Sequence, residues 1–221
     1  ERLALSADLI ASLLNDVDIE QHDTIELVNC YEVDPLTSLP NQAADPANEE
    51  GTLSTRTPVD LADTFLLESN PGAAHTIYLD FDGHVTSGTR WNLGDGDGSD
   101  IVTPAYDIDG NPAAFSTQEL ERIQWIWERV AEDYISFDVN VTTKDPGVAA
   151  LSKTGSGDTS WGSRIVIGGS SSGWYGASVG GVAFVGSFNW SSDTPAFVFE
   201  AQLGNGNEKY TAEAISHEAG H

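Results

Sequence analysis

The 221-residue chain contains no methionine, a single cysteine and only nine basic side chains. One cysteine, Cys30, excludes an internal disulfide, which by itself says little about the compartment. No apolar run approaches the length of a membrane span. The nine basic residues face 35 acidic ones, for a formal net charge of −26. We therefore expect neither nucleic acid nor membrane as a partner, and an attraction for divalent cations, although solubility would explain the charge equally well.

The last five residues carry the most informative pattern. His217-Glu218-Ala219-Gly220-His221 matches H-E-x-x-H. Residues four apart lie on one face of a helix, so His217 and His221 can point two imidazoles at one ion. Zn²⁺ suits two such nitrogens, a third protein ligand and a water. Glu218 is then placed to act as general base toward a metal-bound water that attacks a peptide carbonyl. The alternative is a chance match on an exposed helix.

Hydrophobic periodicity predicts the elements around this motif. A proline-free stretch over 208–221 follows the cap residues Asn205, Gly206 and Asn207, which predicts a helix. The capping box Ser116-Thr117-Gln118-Glu119 begins a second amphipathic helix that extends to about residue 135. Strands are predicted at 75–81, 137–141, 164–167, 181–185 and 196–199. A strand, a helix and a strand in succession indicate a parallel pair with a right-handed crossover.

Residues 1–72 are predicted as an N-terminal extension or pro-segment ahead of a core over 73–221. The extension contains an apolar helical stripe, a short strand within 24–33 and a proline-rich linker over 34–60. A thiolate at Cys30 could occupy the open position on a catalytic zinc, but a buried or inert thiol is the default expectation.

Residues 85–115 are predicted as a long acidic loop. Carboxylates alternate there with glycine, a chemistry that suits Ca²⁺, at Asp95, Asp97, Asp100, Asp107 and Asp109. Neither stretch has the spacing of an EF-hand, and a flexible acidic loop is the alternative. His84, at the end of the first core strand, is expected to be structural rather than a ligand.

Over residues 73–221 the element order and the HEAGH motif resemble the metzincins, in particular secreted bacterial members close to the matrixin type. The resemblance implies an α/β (α+β) fold: a twisted, mostly parallel five-stranded sheet with one antiparallel edge strand and two long helices. Gly220 matches the glycine that often precedes the second histidine in that family. By the same resemblance His217 and His221 are zinc ligands and Glu218 is the general base.

The resemblance also implies a site for a protein or peptide substrate. The edge strand, formed here by Gly181, Val182, Ala183 and Phe184, would bind an extended peptide by strand addition. Trp174 could border that cleft, although packing is the expected role. The family's third zinc ligand and its methionine-containing turn would follow His221. We therefore expect the 221-residue chain to be a fragment of a secreted, monomeric zinc endopeptidase, and to be inactive alone.

Two other functions remain open. A gluzincin-like peptidase would share the motif but take a downstream glutamate as third ligand. A calcium-stabilised extracellular binding or adhesion module would use the acidic and aromatic-rich loops, and its H-E-x-x-H would be incidental.

Overall fold

The structure is a computed structural model that describes residues 59–93 and 98–221, together with the backbone of residues 27–30. Its strands are β1 (Leu27–Cys30), β2 (His75–Asp80), β3 (His84–Thr86), β4 (Ile101–Thr103), β5 (Val139–Thr142), β6 (Trp161–Ile167), β7 (Gly181–Phe184) and β8 (Ala196–Val198). Its α-helices are α1 (Arg90–Leu93), α2 (Thr117–Asp133), α3 (Val148–Leu151) and α4 (Glu208–Ala219). Short 3-10 turns lie at Leu61–Leu66, Ser171–Gly173, Ser187–Asn189 and Glu200–Gln202.

The main sheet has the order β1-β7-β8-β6-β2-β5. Strands β8, β6, β2 and β5 are mutually parallel, and β7 runs antiparallel to β8. The predicted five-stranded, mostly parallel sheet with one antiparallel edge strand is therefore confirmed. Strand β1 adds a sixth strand, which pairs antiparallel with the outer side of β7.

The two faces of the sheet bury different clusters. Helices α2 and α4 cover one face, where Ile126 and Ile215 belong to the same cluster as Leu79. Aromatic side chains cover the other face, where Trp91 and Trp174 pack on Phe197. The central strand β6 ends in three apolar residues, Ile165, Val166 and Ile167, which are all buried, as expected of a strand covered on both faces.

The chain before β2 is already attached to this core. Leu67 is buried and its N–H donates to Oγ1 of Thr143, while Glu68 forms a bridge with Thr142 at the end of β5. Residues in the last part of the predicted extension thus pack beside β5.

The prediction of an uninterrupted loop over 85–115 is wrong. Strands β3 and β4 form an antiparallel pair, with Val85 opposite Val102, and α1 lies between them. The amide of Asn92 donates to the carbonyls of Thr86 and Ser99, which closes this segment. The sequence did not predict these three-residue strands because short apolar runs among glycines and carboxylates show little periodicity. Within the described ranges, no helix has the length and apolar character needed to cross a membrane.

Candidate metal centre

Helix α4 carries the motif, and its first turn is capped as predicted. The side chain of Asn207 accepts hydrogen bonds from the N–H groups of Lys209 and Tyr210 at 3.1 and 3.2 Å. One face of the helix, which includes Ala212 and Ile215, is buried against the sheet and α2. The cap fixes where α4 begins, and the buried stripe fixes the rotation of α4 about its axis, which decides the direction in which the motif side chains point.

The two histidines converge. Nε2 of His217 and Nε2 of His221 lie 3.0 Å apart. Two nitrogens bound to one tetrahedral Zn²⁺ would be about 3.3 Å apart, so small ring rotations suffice for both to bind. His217 is exposed, and burial and the neighbouring His217 lower the pKa of His221. A lowered pKa keeps the second imidazole neutral, which is the form that binds a metal.

The carboxylate of Glu218 is buried without a partner. The residue is 2% exposed, and neither carboxylate oxygen has a hydrogen-bond partner among the described residues. Burial raises the pKa of Glu218 to about 8 because the charged form loses its hydration. An uncompensated buried carboxyl is costly, and a cation beside it would offset that cost. The donor set and this carboxyl therefore fit a metal ion.

Strand β7 lies directly against this carboxyl. A Cβ atom on Gly181 would be 2.6 Å from Oε1 of Glu218, so only glycine leaves room for it. Beyond the strand, the N–H of Gly186 donates to the carbonyl of His221 at 2.7 Å. Gly181 of β7 therefore lies against Glu218, and Gly186, just after β7, contacts the backbone of His221.

Helix α2 holds the same end of α4 from the other side. The hydroxyl of Tyr134 donates to the carbonyl of Ser216 at 2.9 Å. The hydroxyl of Ser216 donates to Oδ2 of Asp133 at 2.6 Å. The residue before the first histidine is therefore fixed through both its backbone and its side chain.

No third protein ligand joins the histidines in the part of the chain that the structure describes. There, three His, Cys, Asp or Glu side chains converge only at Asp107, Asp109 and Glu119. Oδ1 of Asp107 accepts N–H groups from residues 109–111, and Glu119 caps α2 and accepts from Ile108. The calcium prediction for Asp107 and Asp109 stays a prediction. Asp100 is exposed and outside this group, and Asp95 and Asp97 lie outside the described residues.

The remaining sequence candidates lie elsewhere. His84 follows β2, and its Nδ1 is 3.4 Å from Oδ2 of Asp80. Trp174 packs on Trp91 and Phe197, on the face of the sheet opposite to α4. The backbone of Cys30 pairs with Gly181, but its side chain lies outside what the structure describes.

The structure also contains a buried ion network and a buried acid that the sequence did not predict. Arg164 binds both Asp80 and Asp193, and each of the three residues has a side chain no more than 9% exposed. Burial alone would raise the pKa of Asp80, but hydrogen bonds from His84, Asp82 and Arg164 lower it. Glu200 is 4% exposed, and desolvation raises its pKa to about 8. A charged residue within an apolar strand, as in Tyr78-Leu79-Asp80 and Arg164-Ile165-Val166, is the sequence signal that could have indicated buried charges.

A cleft of about 380 Å³ lies between β4 and the loop that contains Trp174. Its walls include Pro104, Gly169 and Phe199 but no residue of the H-E-x-x-H motif. This cleft is therefore separate from the candidate metal centre.

Comparisons with known proteins add no assignment. No family model, no curated protein and no solved structure matches this chain. The metzincin resemblance accordingly stays a prediction carried by the motif and the element order, and the function must be argued from the geometry of the site.

Proposed function

We propose that the protein is a zinc-dependent endopeptidase of metzincin type, secreted and acting on protein or peptide substrates. The observation that carries the proposal is the placement of His217 and His221, whose Nε2 atoms are 3.0 Å apart, beside the buried and unpartnered carboxyl of Glu218. Both imidazoles would hold the ion. Zn²⁺, when bound there, supplies a water acidified enough to attack a peptide carbonyl at neutral pH.

The residues of this chain then have distinct tasks. Glu218 takes the proton from the attacking water and passes it to the leaving amine, as a general base and then a general acid. For this its carboxyl must be charged, and a cation held by His217 and His221 would favour the charged form of a group whose pKa burial raises to about 8. The backbone of β7 lies alongside Glu218, and an extended peptide of varied sequence would add to its outer edge, which β1 pairs in this structure.

A third ligand is required by this chemistry. On the gluzincin interpretation this ligand is a glutamate, so the identity of the third ligand separates that interpretation from the metzincin one. The expectation that the 221-residue chain alone is inactive is tested by a peptidase assay beside the longest form that the gene encodes. Equal activity of the two chains would refute it.

The decisive variant is Glu218→Gln, made in that longest form. The amide keeps the size of the side chain but cannot accept the proton, so we expect hydrolysis of a casein substrate to fall at least about 100-fold, within the range attributed to general-base catalysis. Zinc content, measured by atomic absorption, should stay at the level of the parent protein. Glu213→Gln, on the exposed side of the same helix, is the matched control and should keep full activity.

A binding or adhesion module gives the opposite result. Its calcium-dependent behaviour would be indifferent to Glu218→Gln, and no hydrolysis would be present in the parent protein to lose. That outcome would replace the peptidase proposal with the binding-module alternative.

A further inference from the structure

The last turn of α4 is tied to the end of α2 through a single residue, Ser216. Its carbonyl accepts a hydrogen bond from the hydroxyl of Tyr134, and its own hydroxyl donates to Oδ2 of Asp133. Burial, and then the nearby charge of Asp133, raises the pKa of Tyr134 to about 12, so the Tyr134 hydroxyl keeps its proton and can donate at neutral pH. The residue held in this way comes directly before the first candidate metal ligand.

The hydroxyl of Tyr134 also faces the residue that comes directly before the second ligand. A Cβ atom added to Gly220 would lie 3.8 Å from the hydroxyl oxygen of Tyr134, which is an ordinary van der Waals distance. The same oxygen therefore lies beside Ser216 and beside Gly220, one at each end of the helical turn that separates the two histidines. A contact on both ends of this turn restricts its rotation.

Small rotations of this turn decide whether two imidazoles can share one ion. An α-helix with its side chains is about 10–12 Å across, so a rotation of about 10° moves a ring at its surface by about 1 Å. Distances between a metal and its ligands tolerate deviations of only about 0.2 Å. Buried residues such as Ile215 fix α4 as a whole, whereas the hydrogen bonds of Ser216 act on the turn that bears the ligands.

We infer that Tyr134 and Ser216 are positioning residues of the metal centre, which set its affinity without binding the ion. They hold the last turn of α4 in the rotation at which His217 and His221 bind one ion together, and Asp133 anchors the Ser216 hydroxyl. The inference rests on the proposed function for the presence of the ion. It adds to the H-E-x-x-H motif a second group of residues, contributed in part by the other long helix.

The test removes both hydroxyls by combining Tyr134→Phe with Ser216→Ala in the longest form of the chain that its gene encodes. The dissociation constant for Zn²⁺ is measured by competition with a chromophoric chelator. We expect it to rise at least about tenfold, as when groups that orient metal ligands are removed. Tyr210→Phe is the matched control, because it removes an exposed tyrosine hydroxyl from the same helix and should keep the parent affinity.

A second control separates positioning from a general loss of stability. Ile123→Val shortens a fully buried side chain of α2, about three turns before Asp133, and leaves the hydroxyls at Ser216 and Tyr134 in place. Urea denaturation should show that this variant is destabilised, while its affinity for Zn²⁺ stays at the parent value. The visible absorption of bound Co²⁺, which follows the geometry of its ligands, should change only in the variant that lacks both hydroxyls.

Unchanged affinity for Zn²⁺ without the two hydroxyls would overturn the inference, and so would an equal loss of affinity in Ile123→Val. If the combined variant does not fold, Tyr134→Phe alone takes its place. That variant should also bind Zn²⁺ more weakly than the parent protein, and a dissociation constant equal to that of the parent would overturn the inference in the same way.

The proposed function fails in a different way. If Zn²⁺ binding survives the combination of His217→Ala with His221→Ala, the metal centre is wrongly assigned and the proposed function fails, together with the positioning role. If the histidine variant loses Zn²⁺ but the variant without the two hydroxyls holds it with parent affinity, the positioning role alone has failed.

Discussion

At the scale of single residues, the lack of a side chain at Gly181 leaves the space that Glu218 occupies. Gly181 is the position of β7 that meets Glu218, with an added Cβ lying 2.6 Å from Oε1 and 2.7 Å from Cγ of the glutamate. The motif could be recognised from five letters, but this contact joins residues 37 positions apart and has no local signal. The sequence predicted Gly181 as a strand residue and could not show that glycine is required there.

We predict that Gly181→Ala destabilises the protein by about 1–3 kcal/mol, the usual cost of an overpacked buried site, because the glutamate must move. Gly157→Ala is the control, since an added Cβ there meets nothing within 4 Å and its backbone is not left-handed. Its free energy of unfolding should stay within about 0.5 kcal/mol of the parent value. Urea denaturation measures both. Equal stability of the two variants would show that Glu218 does not occupy the space beside Gly181.

At the scale of elements, one buried cation joins three parts of the fold. Arg164 of β6 binds Asp80 at the end of β2 and Asp193 in the segment before β8. The strands and both long helices could be predicted because apolar periodicity is local. Three features could not be predicted from the sequence: this network, the β3–β4 pair and the addition of β1 to β7. Each depends on pairings between segments that are distant in sequence or too short to show a pattern.

Replacing Arg164 with methionine should destabilise the protein by about 3–5 kcal/mol at pH 7, because it leaves two buried carboxylates uncompensated. The loss should shrink with acidification. The lowered pKa of Asp80 in the parent protein gives stability that is present above its ordinary value of 3.8 and lost below it. Without Arg164 the same carboxyl protonates more readily and its cost disappears.

Urea denaturation of both proteins between pH 7 and pH 3.5 checks this prediction. Arg129→Met removes an exposed guanidinium from α2 and is the control, with a change within about 0.5 kcal/mol at every pH. A stability gap for Arg164→Met that stays constant down to pH 3.5 would show that Asp80 and Asp193 do not depend on Arg164.

At the scale of the whole molecule, the fold brings the helix that carries the H-E-x-x-H motif next to strand β7. The α4 helix lies across one face, its last turn is held by Tyr134 and by Gly186, and β7 runs beside Glu218. This architecture was predictable from the succession of elements, and the convergence of the imidazoles followed once the helix formed. The net charge of −26 adds a general attraction for cations that any test of a specific metal site must control for.

The most direct test is therefore zinc stoichiometry by equilibrium dialysis at 0.15 M salt, followed by atomic absorption, on the longest form of the chain that its gene encodes. We expect one tightly held ion in the parent protein and in His84→Ala, and its loss when His217→Ala and His221→Ala are combined. Undiminished zinc in the double variant would contradict the assignment of the metal centre, and with it the proposed activity.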